Sequence, residues 1–350
     1  MSSELERRLE SLLAEAPEPD PGAGEKALHR ALQALHPSAP PRRGLRTAVV
    51  VFATAVVLLA IAAGSLAGAG ALHVTFGAKK KHSLPPPTQL TLPHGASDIA
   101  AIVDGRLSVV IEGGFRLQVA ATAAALSPHA LYVAAGIGNR LVAMAPNGRK
   151  AWSHPAGGKV VAVAWAPDGL EIAYVVRAEH GLALHVIYGN GRKDTTIDRS
   201  VRAVRPSWRA DSLAFAYVGA GGKAVVYDLA HRRHRVVGAA APVTRVAFAP
   251  VGRALAVATP DSAVLGGKRV VTGDVQALGW LRGKLAVAVP GLIRLFAADG
   301  AARGSTPAQG DVVAVTSKLV LVRRTQRLVA GHTTLLTVPP RASLRDLQVG

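Results

Sequence analysis

From Gln89 onward the chain is written in short apolar runs of Val, Ala and Leu, each cut off by Gly, Asn, Asp or Pro. None keeps a 3.6-residue period for the length of a helix, so the region reads as β-strands joined by tight turns. Two other textures come first. Leu5, Leu9, Leu12 and Leu13, then Leu28, Leu32 and Leu35, recur at helical spacing on either side of a Pro/Gly-rich break. They predict two short amphipathic helices, too small to fold securely alone. Residues 47–78 carry no charge, and 48–66 are a run of 19 almost purely apolar positions. At 1.5 Å rise per residue that run covers about 28 Å, close to the hydrocarbon thickness of a bilayer. The pattern divides the chain into a helical stub (1–40), a basic linker (41–47), a transmembrane helix (48–72), a basic and Pro-rich linker (73–87), a β-region (88–340) and a C-terminal tail (341–350).

A cleavable signal peptide would carry its charges at the very start, whereas here 46 residues precede the apolar run, so an uncleaved anchor is expected. Arg42, Arg43 and Arg46 flank one end and Lys79, Lys80 and Lys81 the other. Arg30 tips the count toward a cytoplasmic N-terminus and an extracytoplasmic β-region. Gly64 and Gly68 have the spacing at which two membrane helices approach closely, and equally suit the plain end of an anchor.

The β-region repeats itself. Its clearest unit is Val160-Val-Ala-Val-Ala-Trp165-Ala-Pro167-Asp168-Gly169, followed by Ile172-Ala173-Tyr174. Trp208, Asp211 and Phe215-Ala216-Tyr217 reproduce its offsets, as do Phe248, Pro250, Gly252 and Leu255-Ala256-Val257. Two copies read as shortened by two residues: Leu126 leading to Leu131-Tyr132-Val133, and Trp280 leading to Leu285-Ala286-Val287. The anchors at 126, 165, 208, 248 and 280 are 39, 43, 40 and 32 residues apart, the length of a four-stranded propeller blade. Hairpin turns fall between them at Asn147-Gly148, Asn190-Gly191, His231, Gly266-Gly267 and Asp299-Gly300. Weaker units at 99–119 and 312–338 give a mainly β fold, a β-propeller of seven blades with six as the alternative. Residues 89–92 are the candidate for the strand that closes the ring.

A blade cannot bury both faces alone, so blades stack in a circle that also hides their edges. The anchor aromatics are then expected to pack between neighbouring blades, and Asp168 and Asp211 to close turns by accepting backbone N–H groups. The motif Trp165-Ala-Pro167-Asp168-Gly169 with Ile172-Ala173-Tyr174 resembles the repeat of TolB-type, WD40-like propellers. The resemblance covers residues 88–338 and implies a propeller that serves as a bacterial binding platform outside the cytoplasm. It carries over no catalytic residue. The stub, linker and span are similar in layout to membrane-bound anti-sigma factors, which leaves open a signalling protein whose N-terminal helices hold a cytoplasmic regulator.

Composition narrows the chemistry. With no cysteine among 350 residues, disulfides, thiolate metal sites and cysteine nucleophiles are excluded. Gly-x-Ser-x-Gly, the Walker sequence, HExxH and the EF-hand loop do not occur, and Gly136-Ile-Gly138 lacks the third glycine of a dinucleotide fingerprint, so it reads as a turn. The sequence therefore assigns no catalytic residue, no metal ligand and no cofactor, and leaves the ligand-binding residues unassigned. His231 and His234 have ligand spacing but fall in a hairpin. The net charge of +19 favours anionic partners. Arg232, Arg233 and Arg235 with Arg323, Arg324 and Arg327 would make a polyanion patch if the blades brought them to one face. Aromatics are only 4% of the chain, which disfavours nucleic acid. The expected partners are the membrane and a protein or anionic polymer.

Overall fold

The computed structural model describes residues 90–349, apart from 95, 113–114, 239–241 and 339–341. The helical stub, the linkers over 41–47 and 73–87, and the transmembrane helix expected at 48–72 lie outside the described residues. Among the described residues no helix is long and apolar enough to cross a membrane.

The described chain forms seven four-stranded antiparallel sheets, the blades of a seven-bladed β-propeller. Blade 2 runs Ala124–Leu126, Val133–Ile137, Arg140–Met144 and Lys150–Pro155; blade 3 Lys159–Trp165, Glu171–Ala178, Gly181–Tyr188 and Thr195–Asp198. Blade 4 runs Ser207–Trp208, Ala214–Val218, Ala224–Asp228 and Arg233–Val237; blade 5 Arg245–Phe248, Leu255–Ala258, Ser262–Leu265 and Lys268–Thr272. Blade 6 runs Ala277–Leu281, Lys284–Val289, Leu292–Phe296 and Ala302–Pro307; blade 7 Asp311–Val315, Val320–Arg324, Arg327–Ala330 and Thr333–Thr337. From blade 1 to blade 7 the first strand of each blade touches the first strand of the next, which puts these strands around the axis.

Blade 1 is assembled from both ends of the described chain. Asp98–Val103, Arg106–Ile111 and Phe115–Ala120 are its outer strands, and Leu344–Val349 is its inner one, pairing Val349 with Ile99 and Leu344 with Val103. This corrects two expectations. Residues 341–350 are not a tail, because 344–349 form the strand that closes the ring. Residues 89–92 are not that strand: Thr91 N–H donates to Leu335 O at 2.8 Å on the outer strand of blade 7, and Leu90 is buried there.

The core follows from strand periodicity. Successive side chains on a strand point to opposite faces, and each blade has a neighbour on both. Ile99, Ala101 and Val103 therefore pack toward blade 7, while Ala100 and Ile102 pack toward blade 2. Seven apolar clusters result among the described residues, one for each blade-to-blade seam, including the seam between blades 7 and 1. Fully burying a Val or Leu side chain contributes about 1.5–3 kcal/mol, so these seams dominate stability. Many second strands are lined by alanine because the blades approach closely. At Gly136, which lies in a strand rather than a turn, an added Cβ would come within 2.7 Å of Val160 Cβ on the next blade.

The anchor residues end the inner strands. Trp208 is buried against blade 3 and donates its indole N–H to Ala164 O at 3.0 Å; Trp280 does the same to Ala247 O of blade 5 at 3.1 Å. Leu126 pairs with Val133 as Trp165 pairs with Ile172, seven residues on in each case, so the copy in blade 2 is not shortened. Its turn holds the Pro128–Ala130 3-10 helix. The copy at Trp280 is shorter, pairing with Leu285. Asp168 and Asp211 accept the N–H groups of Leu170 and Leu213, closing their turns as their positions predict.

Candidate binding face

Strand direction alternates within each blade, so the turns between strands one and two and between three and four emerge on one face, here termed lower. The turns between strands two and three, and the crossovers between blades, emerge on the upper face. The hairpins at Asn147, Asn190, His231, Gly266 and Asp299 all join strands three and four and lie on the lower face.

Lower-face turns place apolar side chains in solvent at one register. Leu131, Leu170 and Leu213 each stand five residues after the anchor of blades 2, 3 and 4, and are 65%, 67% and 54% exposed. Val251, in the matching turn of blade 5, is 81% exposed. Adjacent turns touch, Asp168 N–H donating to Ser212 Oγ between blades 3 and 4. The tips therefore form one arc rather than isolated surface leucines.

Beside that arc, between blades 4 and 5, lies an open groove of about 480 Å³ lined by Arg209, Asp228, His231, Arg233, His234, Arg235, Phe248 and Arg253. Arg209 enters from the first turn of blade 4 and donates Nε to both Asp211 oxygens at 2.8 and 2.9 Å. That hydrogen bond holds the Asp211 carboxyl below the usual carboxylate range. Asp228 is likewise held down, first by the His231 backbone N–H and then by the His231 ring, whose Nδ1 is 3.0 Å away. His234 turns elsewhere, its Nδ1 lying 2.9 Å from the Tyr217 hydroxyl. Arg233, Arg235 and Arg253 make no ion pair among the described residues. The groove is thus an arginine-lined trough whose carboxylates are already engaged.

The six arginines considered together in the sequence are not brought together. Arg232, Arg233 and Arg235 belong to the lower end and outer strand of blade 4. Arg323, Arg324 and Arg327 flank the second turn of blade 7, on the upper face, where Arg324 Nε donates to Gln309 O at 2.8 Å. The partners that do join the blade 4 cluster, Arg209 and Arg253, come from turns distant in sequence. The His231 and His234 rings engage different residues, and the carboxylate at Asp228 that accompanies His231 is a neighbour the sequence reading missed.

Two polar clusters elsewhere also escaped the sequence. Tyr174 OH donates to Asp194 Oδ1 at 2.8 Å, and Asp194 Oδ2 is met by His185 Nδ1 at 3.1 Å and by His154 of blade 2 at 3.5 Å. Tyr217 OH donates to Asp198 Oδ2 of blade 3 at 2.8 Å. Burial, with the adjacent carboxylate, pushes both tyrosines well above their ordinary range. Each cluster bridges two blades, so its geometry is that of a clasp. The repeated Ala-Tyr of the second strands was the signal available for it. Among the described residues no three His, Cys, Asp or Glu side chains converge as a metal site requires.

No known protein family matches the chain, and no curated protein is significantly similar to it.

Proposed function

We propose that the protein is a non-catalytic binding platform: a TolB-type propeller held outside the cytoplasm by a membrane anchor at 48–72, with an anionic protein or polymer docking on its lower face. The groove between blades 4 and 5 carries this reading. Four arginines reach it from separate turns and strands, two of them, Arg233 and Arg235, without an acidic partner among the described residues, beside an arc of exposed leucines. A guanidinium fork matches carboxylate and phosphate geometry, and apolar tips next to it supply the dry contact that a charged patch alone lacks. The charge is uneven as well as high: residues 83–350 hold 31 basic and 15 acidic side chains.

The test is binding of the detergent-solubilised full chain to immobilised polyglutamate and to long-chain polyphosphate. Arg233→Gln with Arg253→Gln is expected to weaken binding about tenfold and flatten its salt dependence. Arg116→Gln with Arg303→Gln, on exposed outer strands of blades 1 and 6, should leave it unchanged. Equal losses for the two pairs would mean that net charge, not this groove, does the binding.

A further inference from the structure

The upper face has a cavity of its own. About 430 Å³ in volume, it opens at the axial mouth between blades 1, 2 and 3 and is lined by Lys159, Arg177, Arg345, Thr122, Gly105 and Ser343. Lys159 and Arg177 are directly paired residues on adjacent strands of blade 3. Like charges set opposite each other destabilise a sheet, and no ion pair among the described residues compensates either one. The neighbouring acid is taken: Asp104 Oδ1 accepts the Ser343 N–H at 2.9 Å.

The charge continues around the mouth. Arg205 and Arg245 stand within two residues of the starts of the inner strands of blades 4 and 5, as Arg345 and Lys159 do in blades 1 and 3. Arg205 senses Asp346 of blade 1 across the channel, and burial pulls the Arg205 guanidinium down and the Asp346 carboxyl up from their ordinary values. Arg245 donates Nη1 to Val275 O at 3.2 Å and senses Asp274. These two arginines have carboxylates to answer them, and Asp346 also faces Arg345, which leaves Lys159 and Arg177 as the uncompensated pair beside it.

We infer that Lys159, Arg177 and Arg345 form a binding site for a compact multivalent oxyanion, a small molecule carrying phosphate or carboxylate groups. Such an anion neutralises the like-charge pair and bridges blade 3 to blade 1 over the cavity. The site is separate from the lower groove and does not depend on the function proposed for it.

Thermal unfolding of the full chain tests this, with inorganic pyrophosphate or citrate added at constant ionic strength against sodium chloride. The wild type is expected to gain several degrees in Tm with at least one of the two, and the larger gain identifies phosphate or carboxylate as the recognised group. Lys159→Gln with Arg177→Gln is expected to melt higher than wild type without anion, because the repulsion is gone, and to lose the anion response. If that double variant does not fold, Arg345→Gln, on another blade, is expected to weaken anion affinity about tenfold. Arg116→Gln with Arg303→Gln, outside both this cavity and the lower groove, should respond as wild type does. A wild type indifferent to both anions at matched ionic strength, or site variants that keep the full response, would overturn the site.

Discussion

Burial by itself would raise the pKa of Asp194. Hydrogen bonds from His185 and Tyr174, together with the His185 and His154 charges, outweigh it and leave the carboxyl below its usual value. A depressed folded pKa makes ionised Asp194 a stabilising group above the unfolded-state value near 4, and that stabilisation fades as pH falls through the folded pKa. Asp194→Asn is therefore expected to cost about 1–2 kcal/mol at pH 7. In urea titrations its difference from wild type should shrink below about pH 4; a constant difference down to pH 3 would contradict the account. The sequence displayed Tyr174 and Tyr217 as members of a repeat. It did not display Asp194 and Asp198 as their partners, because Asp194 just precedes and Asp198 ends the fourth strand of blade 3, where the repeat is least regular. Asp168 and Asp211 were legible because an aspartate two residues before the N–H it accepts is a local motif, complete within the turn.

At the scale of elements, the repeat exposed blades 2 to 6 clearly because each is continuous and carries its anchor and turn in order, and blade 7, continuous but without an anchor, more weakly. Blade 1 broke the rule. Its inner strand, Leu-Arg-Asp-Leu-Gln-Val, lies more than two hundred residues from its pairing partners and mixes polar with apolar positions. Those polar residues have work on the neighbouring blade: Asp346 Oδ2 accepts the Ala124 N–H at 2.9 Å, and Gln348 Oε1 accepts that of Leu126 at 3.1 Å. The strand thus joins blade 1 to blade 2 as well as closing the ring. Removing residues 342–350 is expected to replace one sharp thermal transition with a broad one and to expose apolar surface to a hydrophobic dye. A truncated chain that melts cooperatively within a few degrees of the intact one would show that closure lies elsewhere.

Across the whole molecule, turn order decides which residues meet. The arginines of blades 4 and 7 look alike in sequence, but one group follows the third strand and the other the second, so they emerge on opposite faces. Arg209 and Arg253 complete the lower groove from turns that adjacent blades place side by side, a proximity visible only once the ring is built. The two faces then differ in kind: the lower one pairs arginines with an apolar arc, and the upper cavity is cationic. The central claim is that the lower face is presented outside the cytoplasm to an anionic partner. Because the chain has no cysteine, Val251→Cys and Ser38→Cys each introduce a single reactive thiol, on the lower face and in the N-terminal stub. Intact cells treated with a membrane-impermeant maleimide should label the Val251 variant fully and the Ser38 variant only after permeabilisation. The reverse pattern, Ser38 labelled and Val251 protected until lysis, would place the propeller in the cytoplasm and contradict the account.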